Sequence, residues 1–265
     1  METKKKISLA VLGAMCCLEF GGTVMAASED ELKTNLSVSA LSKFVRRGFA
    51  YSKDSLVLQP SATASYKGFS ANLWGNEDTD LYSADPSAST HHKWTETDGT
   101  LAYAITTGPV DLSAGYIYYG LNDASDTQEV FGRASLRTLL TPTLTAYRDV
   151  DNLPGWYVTL GVSHSMPIMK AIDLNLGAQV GYLDADDASS FAEVNNPTKA
   201  YRGLHDGLLS ASVTIPVGNS ISVTPGVNYS FPLTSDAADL IKARTTFSGD
   251  HHEFLYGGVT VAMVF

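Results

Sequence analysis

The chain has 265 residues, 18 basic against 28 acidic, and a formal net charge of −10, a balance that counts against nucleic acid as a partner. Its two cysteines, Cys16 and Cys17, both lie near the N-terminus, so no disulfide framework can hold the remainder together. No later stretch has the apolar length of a membrane helix, so any crossing of a membrane is made by strands.

Lys4, Lys5 and Lys6 precede an apolar run from Ile7 to Leu18, followed by Gly21, Gly22 and small residues through Ala26. That layout predicts a secretory signal peptide over residues 1–26, cleaved after Ala26, because the run is interrupted by Glu19 before it is long enough to span a bilayer. Met15 directly before Cys16 does not fit a lipidation signal. The mature part, 27–265, is then a cysteine-free, exported, acidic β-rich body.

From Asn35 onward the chain alternates. Leu56, Leu58, Ala62, Ala64 and Tyr66 fall on one face, with Val57, Gln59, Ser61, Thr63 and Ser65 on the other. Lys67-Gly68 reads as a two-residue hairpin turn, after which Phe69, Ala71 and Leu73 continue the apolar face opposite Ser70, Asn72, Trp74 and Asn76. Further short turns are expected at Thr106 to Pro109, Thr141-Pro142, Pro167 to Ala171 and Pro216 to Ser220. Longer, acidic loops are expected at Arg47 to Asp54, Glu77 to Lys93, Leu121 to Asp126, Asp149 to Pro154, Leu183 to Leu204 and Leu233 to His252. Within the last of these, Ser235 to Lys242 predicts a short helix capped by Ser235; folded inward, its Leu240 and Ile241 would narrow the mouth, whereas otherwise it lies on the rim. Pro225 in mid-strand predicts a bulge beside Gly226.

Short turns at one edge and long loops at the other predict an all-β fold: a transmembrane antiparallel β-barrel of about twelve strands, with short periplasmic turns and long extracellular loops. A soluble sandwich or lipocalin-like barrel would also alternate. The aromatics separate the two. Trp74, Trp94, Tyr118, Tyr119, Trp156, Tyr182, Tyr229 and Phe231 lie near long loops, and Tyr66, Phe69, Tyr103 and Phe265 near short turns or the C-terminus. Two such belts are what membrane interfaces select.

The chain closes on HHEFLYGGVTVAMVF, in which Leu255, Gly257, Val259, Val261, Met263 and Phe265 share a face. With the signal peptide, this ending resembles the outer-membrane proteins of diderm bacteria. The resemblance implies that Val259, Val261, Met263 and Phe265 form the signal read by the barrel assembly machinery. It further implies a cell outer-membrane location among lipids and lipopolysaccharide. More narrowly, Ser42 to Phe49, Leu73-Trp74-Gly75-Asn76 and Gly115 to Tyr119 resemble the proteobacterial TorF-type porin family, although Lys43 stands where an acidic residue is expected.

On the predicted inner wall, Glu96, Asp98, Asp111, Glu129, Arg133 and Arg137 are the candidate pore-lining residues. Centring the hairpin on its acidic loop sets Asp111 opposite Arg137, Gly115 opposite Arg133 and Tyr119 opposite Glu129, with Glu129 in reach of Arg133. Opposed charges of this kind serve a pore lining or cross-strand pairing. The other inward positions are small, and twelve strands lie between a filled barrel and an open one. The expectation is a porin-like channel for passive diffusion of small hydrophilic solutes, cation-preferring because the unpaired lumen charges and the loops are acidic. The alternatives are a structural or adhesive barrel with an occluded lumen and an outer-membrane hydrolase or acyltransferase.

The sequence itself speaks against an enzyme. It has no G-x-S-x-G elbow, and in His164-Ser165 and His205-Asp206 neighbouring strand residues should point to opposite faces. No cofactor is expected. Asp184-Ala185-Asp186-Asp187 lacks the glycine and closing glutamate of a calcium loop. His91, His92, His251 and His252 sit in two loops, where they could share a transition metal or simply face solvent.

Overall fold

The computed structural model describes residues 31–80, 91–122, 124–245 and 251–265; the predicted signal peptide lies outside them. Strand β1 (Lys33–Leu41) leads to a small hairpin of β2 (Val45–Arg46) and β3 (Phe49–Ala50). Next come β4 (Val57–Tyr66), β5 (Phe69–Asp80), β6 (His91–Thr107), β7 (Val110–Leu121) and β8 (Thr127–Leu136). They are followed by β9 (Thr143–Asp149), β10 (Gly155–Met169), β11 (Ile172–Ala185) and a second small hairpin, β12 (Ala192–Glu193) with β13 (Asn196–Ala200). The chain ends with β14 (Arg202–Val217), β15 (Ile221–Pro232), helix α1 (Ser235–Arg244) and β16 (Phe254–Val264).

Twelve of these strands close into one antiparallel barrel, β1 pairing with β4 on one side and β16 on the other; the two small hairpins stand apart. The alternation dictates which way each side chain points. Leu73, Leu101, Leu144, Leu160 and Leu255 are more than half exposed on the outside, while Gln59, Asn76, Thr145, Thr159 and Thr260 are buried within. An apolar exterior around a polar interior is the inverse of a soluble barrel, and it is stable only where lipid replaces water at the outer wall.

Lys67 and Gly68 both have positive φ, as a two-residue hairpin turn of this hand requires. The outer belts hold Trp94, Tyr118 and Trp156 at one end and Tyr66, Phe69, Tyr103 and Phe265 at the other. Trp74 and Tyr119 do not join them. Trp74 packs inward against Leu41, Phe44 and Val57, and Tyr119 is buried against Glu129. Gly75 and Gly207 give the outer wall its close packing: a Cβ on Gly75 would overlap the ring of Trp94, and one on Gly207 that of Phe231.

Several local expectations are corrected. Strands β5 and β6 run further than predicted, reaching Asp80 and starting at His91 inside the region expected as a loop from Glu77 to Lys93. Pro225 sits opposite Val259 without a shift of register toward either neighbour: its pairing with β14 lapses over Val213 and Thr214 and resumes in the same register, with no bulge beside Gly226. Helix α1 is capped by Thr234, whose side chain accepts from the Ala237 N–H, so the cap falls one residue before Ser235. The first long segment begins directly after Leu41 and contains its own β2–β3 turn, with Arg47 and Gly48 at positive φ.

Candidate functional site: a hairpin braced across the lumen

The β2–β3 hairpin leaves the wall between β1 and β4 and ends on the far side of the barrel. Arg47 donates from both terminal nitrogens to the Glu129 carboxylate on β8, at 2.6 and 2.8 Å. Its guanidinium lies 4.9 Å from the ring centre of Tyr147 on β9 and 4.5 Å from that of Tyr157 on β10. In the closed order of strands, β9 is the one farthest from β1 in either direction. The hairpin therefore spans the lumen.

Arg46 makes a parallel set of contacts on the side wall. It donates to Glu96 at 2.7 Å and lies 4.4 Å over the ring of Tyr119. Tyr119 in turn donates its hydroxyl to Glu129 at 2.7 Å, fixing the carboxylate that holds Arg47. Two guanidinium groups thus meet Glu96 and Glu129, with Asp98 nearby, whose Oδ1 is buried with no hydrogen-bond partner among the described residues. Such fork-to-carboxylate contacts are the strong, directional class of ion pair.

Apolar packing completes the closure. Val45, Phe49 and Ala50 of the hairpin pack with Ala237, Leu240 and Ile241 of α1 and with the inward Tyr147, Tyr157, Leu183, Phe254 and Tyr256. The helix is folded into the mouth, not laid on the rim, because Leu240 and Ile241 are almost wholly buried. The His205 ring lies tilted against Phe49 with centroids 5.0 Å apart, and its Nε2 lies 3.1 Å from the Arg47 carbonyl.

Of the six residues expected to line the lumen, Glu96 and Glu129 take part in these contacts and Asp98 lies beside them, while Asp111, Arg133 and Arg137 stand apart from the hairpin. Glu96, Asp98, Asp111, Glu129 and Arg133 lie on the inward parity of β6, β7 and β8, and Arg137 follows β8 at the short-turn edge. The β7–β8 register is displaced by two residues from the expectation: Asp111 faces Ser135, Arg133 faces Ser113, and Tyr119 faces Thr127. The cause is Asp126, which turns back to accept from the Leu121 N–H and the Tyr118 hydroxyl and so closes the loop early. Asp111 and Arg137 still pair, on the diagonal, at 2.7 Å. Glu129 does not serve Arg133. Four strand positions separate them by about 13 Å, and Arg47 takes the carboxylate instead.

Within the Leu183 to Leu204 loop, acids find basic partners. Asp184 pairs with Arg202, and Asp186 with both nitrogens of Arg148, whose hydrogen bond holds the Asp186 carboxyl below its ordinary pKa. Asp187 accepts from the Ser189 and Ser190 backbone. Among the described residues no three His, Asp or Glu side chains are placed to share a metal ion. His92 lies 3.4 Å from Glu77, and the His91 side chain lies outside the described residues.

The two His pairs behave differently. His164 lies on the outer wall with Nδ1 2.8 Å from the Leu139 carbonyl, while Ser165 points inward and donates to Asn175 at 2.7 Å. His205 and Asp206, however, are both buried inside, because a register shift between Val180 and Tyr182 on β11 leaves an extra residue on β14. The prediction that they diverge is corrected. Asp206 accepts from the Tyr157 hydroxyl at 3.0 Å, and so belongs to the support of the Arg47 cradle.

Sequence reasoning missed Arg46, Arg47, Tyr147 and Tyr157. A signal existed: Arg47-Gly48 repeats the basic-Gly pattern of Lys67-Gly68, a tight turn inside a segment read as a featureless loop.

The fold and its exterior define the chain as a transmembrane antiparallel β-barrel. No protein-family model matches it, and no curated protein matches it. Among solved structures it is similar to an anion-selective porin from Comamonas acidovorans, at 9% identity over 89% of this chain and 99% of that one, with a TM-score of 0.36. It is similar to OmpF of Salmonella typhi, solved with daunomycin, at 8% identity over 89% and 97%, with a TM-score of 0.39. OmpT, an outer membrane protein of Vibrio cholerae, is similar at 9% identity over the same shares, with a TM-score of 0.38. Likenesses this distant decide nothing about selectivity or mechanism.

Proposed function

We propose that this protein is a porin-like channel of the outer membrane of a diderm bacterium, passing small hydrophilic solutes by diffusion, and that the braced hairpin is its gate. The observation that carries the reading is the hydrophilic lumen, stopped near the long-loop end by a segment attached to the far wall through ion pairs. Below that level the inward positions include Ser61, Thr63, Asn72, Ser113, Asn175, Gly177, Ser210 and Ser212, small polar residues that leave room for water. Barrels of eight strands are filled by side chains and those of sixteen are open, so the side chains decide at twelve.

The nature of the stop favours a gate over a permanently closed scaffold. Buried ion pairs are commonly replaceable by apolar residues without loss of stability, so closure alone does not call for Arg46 and Arg47. Charged groups released from the wall rehydrate, which makes such a contact reversible in water.

The channel is cation-preferring in this reading, on a revised basis. Arg46, Arg47, Arg133 and Arg137 face an inward set of Glu96, Asp98, Asp111 and Glu129 to which Asp78, Asp149 and Asp206 add. Screening with a Debye length of about 8 Å at physiological salt confines the preference to low ionic strength. The exterior fits lipids and lipopolysaccharide as surroundings, and the β16 face of Val259, Val261, Met263 and Phe265 fits the assembly signal. Conductance of the purified barrel in planar bilayers is the test, with reversal potentials in a potassium chloride gradient. Silence at every salt and voltage would sink the channel, and anion preference at low salt would sink the selectivity.

A further inference from the structure

The geometry points to a receptor site for guanidinium-bearing solutes on the far wall of the lumen, occupied in this conformation by the protein's own Arg47. The cradle has the parts such a group requires. The Glu129 carboxylate meets two guanidinium nitrogens at 2.6 and 2.8 Å, a planar two-point match that an ammonium cannot make. The rings of Tyr147 and Tyr157 offer their faces at 4.9 and 4.5 Å, where a delocalised cation is attracted to the π-electrons.

The cradle also has supports that do not come from the hairpin. Tyr119 donates to Glu129 at 2.7 Å and Tyr157 donates to Asp206 at 3.0 Å, so the carboxylate and one ring each keep a hydrogen bond within the wall. When the hairpin withdraws, a prepared anionic and aromatic surface is left in the path of a permeating solute. The chemistry selects an organic cation over a metal ion, because among the described residues no three ligating side chains converge. Arg47 acts as a tethered competitor: the solute class that the wall recognises is the class that displaces the gate.

This inference rests on the channel reading for its biological sense, but its test is separable. The folded barrel, checked by a heat-modifiable gel shift, is titrated calorimetrically in detergent with L-arginine amide and, as the ammonium control, L-lysine amide. R47A empties the cradle, and arginine amide should bind it at least tenfold more tightly than the wild type, and more tightly than lysine amide does. Adding Glu129→Gln to R47A should weaken that binding at least tenfold. Equal affinity of R47A for the two amides, or binding untouched by the second change, overturns the site. Should R47A not fold, R47K keeps a charge but loses the fork, and arginine amide must still bind it more tightly than the wild type; equal binding overturns the site. Bilayer recordings on the same preparations separate the two ideas. Silence with arginine amide bound rejects the channel and keeps the site, whereas conductance without binding does the reverse.

Discussion

Glu129→Gln tests the gate with the smallest change of shape. In the pair with Arg47 the two side chains keep only 15% and 3% of their exposure, so the contact is largely withdrawn from water. Removing one charge of a buried pair costs about 3–5 kcal/mol, and the glutamine carbonyl recovers roughly 1–1.5 of that through one remaining hydrogen bond. A net loss of about 1.5–4 kcal/mol falls on the closed state, and removing the carboxylate left unpaired in the withdrawn state acts in the same direction. At about 1.4 kcal/mol per factor of ten, the open fraction should rise by roughly a hundredfold. The assay is the time spent in the high-conductance state by single barrels in planar bilayers. Glu193→Gln is the control: its pair with Lys199 is more exposed, and such surface pairs contribute about 0–1 kcal/mol, so gating should not change. A folded Glu129→Gln barrel that opens no more often than wild type would refute the idea that this ion pair holds the hairpin.

Excising residues 235–244 removes Leu240 and Ile241 from the mouth cluster and should raise single-channel conductance; unchanged conductance would place the constriction elsewhere. Arg133→Ala deletes an inward cation and should increase the potassium-over-chloride preference at low salt, measured by reversal potential. Deleting Phe265, or changing it to Asp, should leave exported protein that shows no heat-modifiable gel shift, since the β16 strand must pair with β1 to close the barrel. Gly75→Val should displace the Trp94 ring into lipid headgroups or water. A lower melting temperature and altered tryptophan emission would register that, and unaltered emission would argue against the ring's seat on Gly75.

The barrel was legible because lipid on one side and water on the other impose strict alternation, and side chains such as Leu73, Leu101 and Leu255 obey it individually. Strand number and the short turns followed from the same rule, with Gly68 and Gly108 marking positions where the backbone must turn. The lumen faces of Glu96, Asp98 and Glu129 were legible, but their partners were not. Arg47 and Glu129 are 82 positions apart, and nothing local in either segment encodes a contact across the barrel. The register of β7 with β8 failed for a smaller reason, because one capping side chain, Asp126, decides where a loop begins. Periodicity reports which face a residue takes, whereas loops folded into a cavity obey three-dimensional complementarity that leaves no period behind.

The seam between β1 and β16 joins the two ends of the molecule, with Ser39 and Thr260, 221 positions apart, sharing a hydrogen bond at 3.1 Å. Among the barrel's strand pairings it closes the longest stretch of chain, so its loop-closure entropy is the largest. The plug hairpin issues from β1, one edge of that seam, and its tip touches the strands diametrically opposite. In the closed barrel it is therefore a strut. By tying the seam edge to the opposite side of the sheet, the Arg47 contacts brace the closed barrel across its diameter.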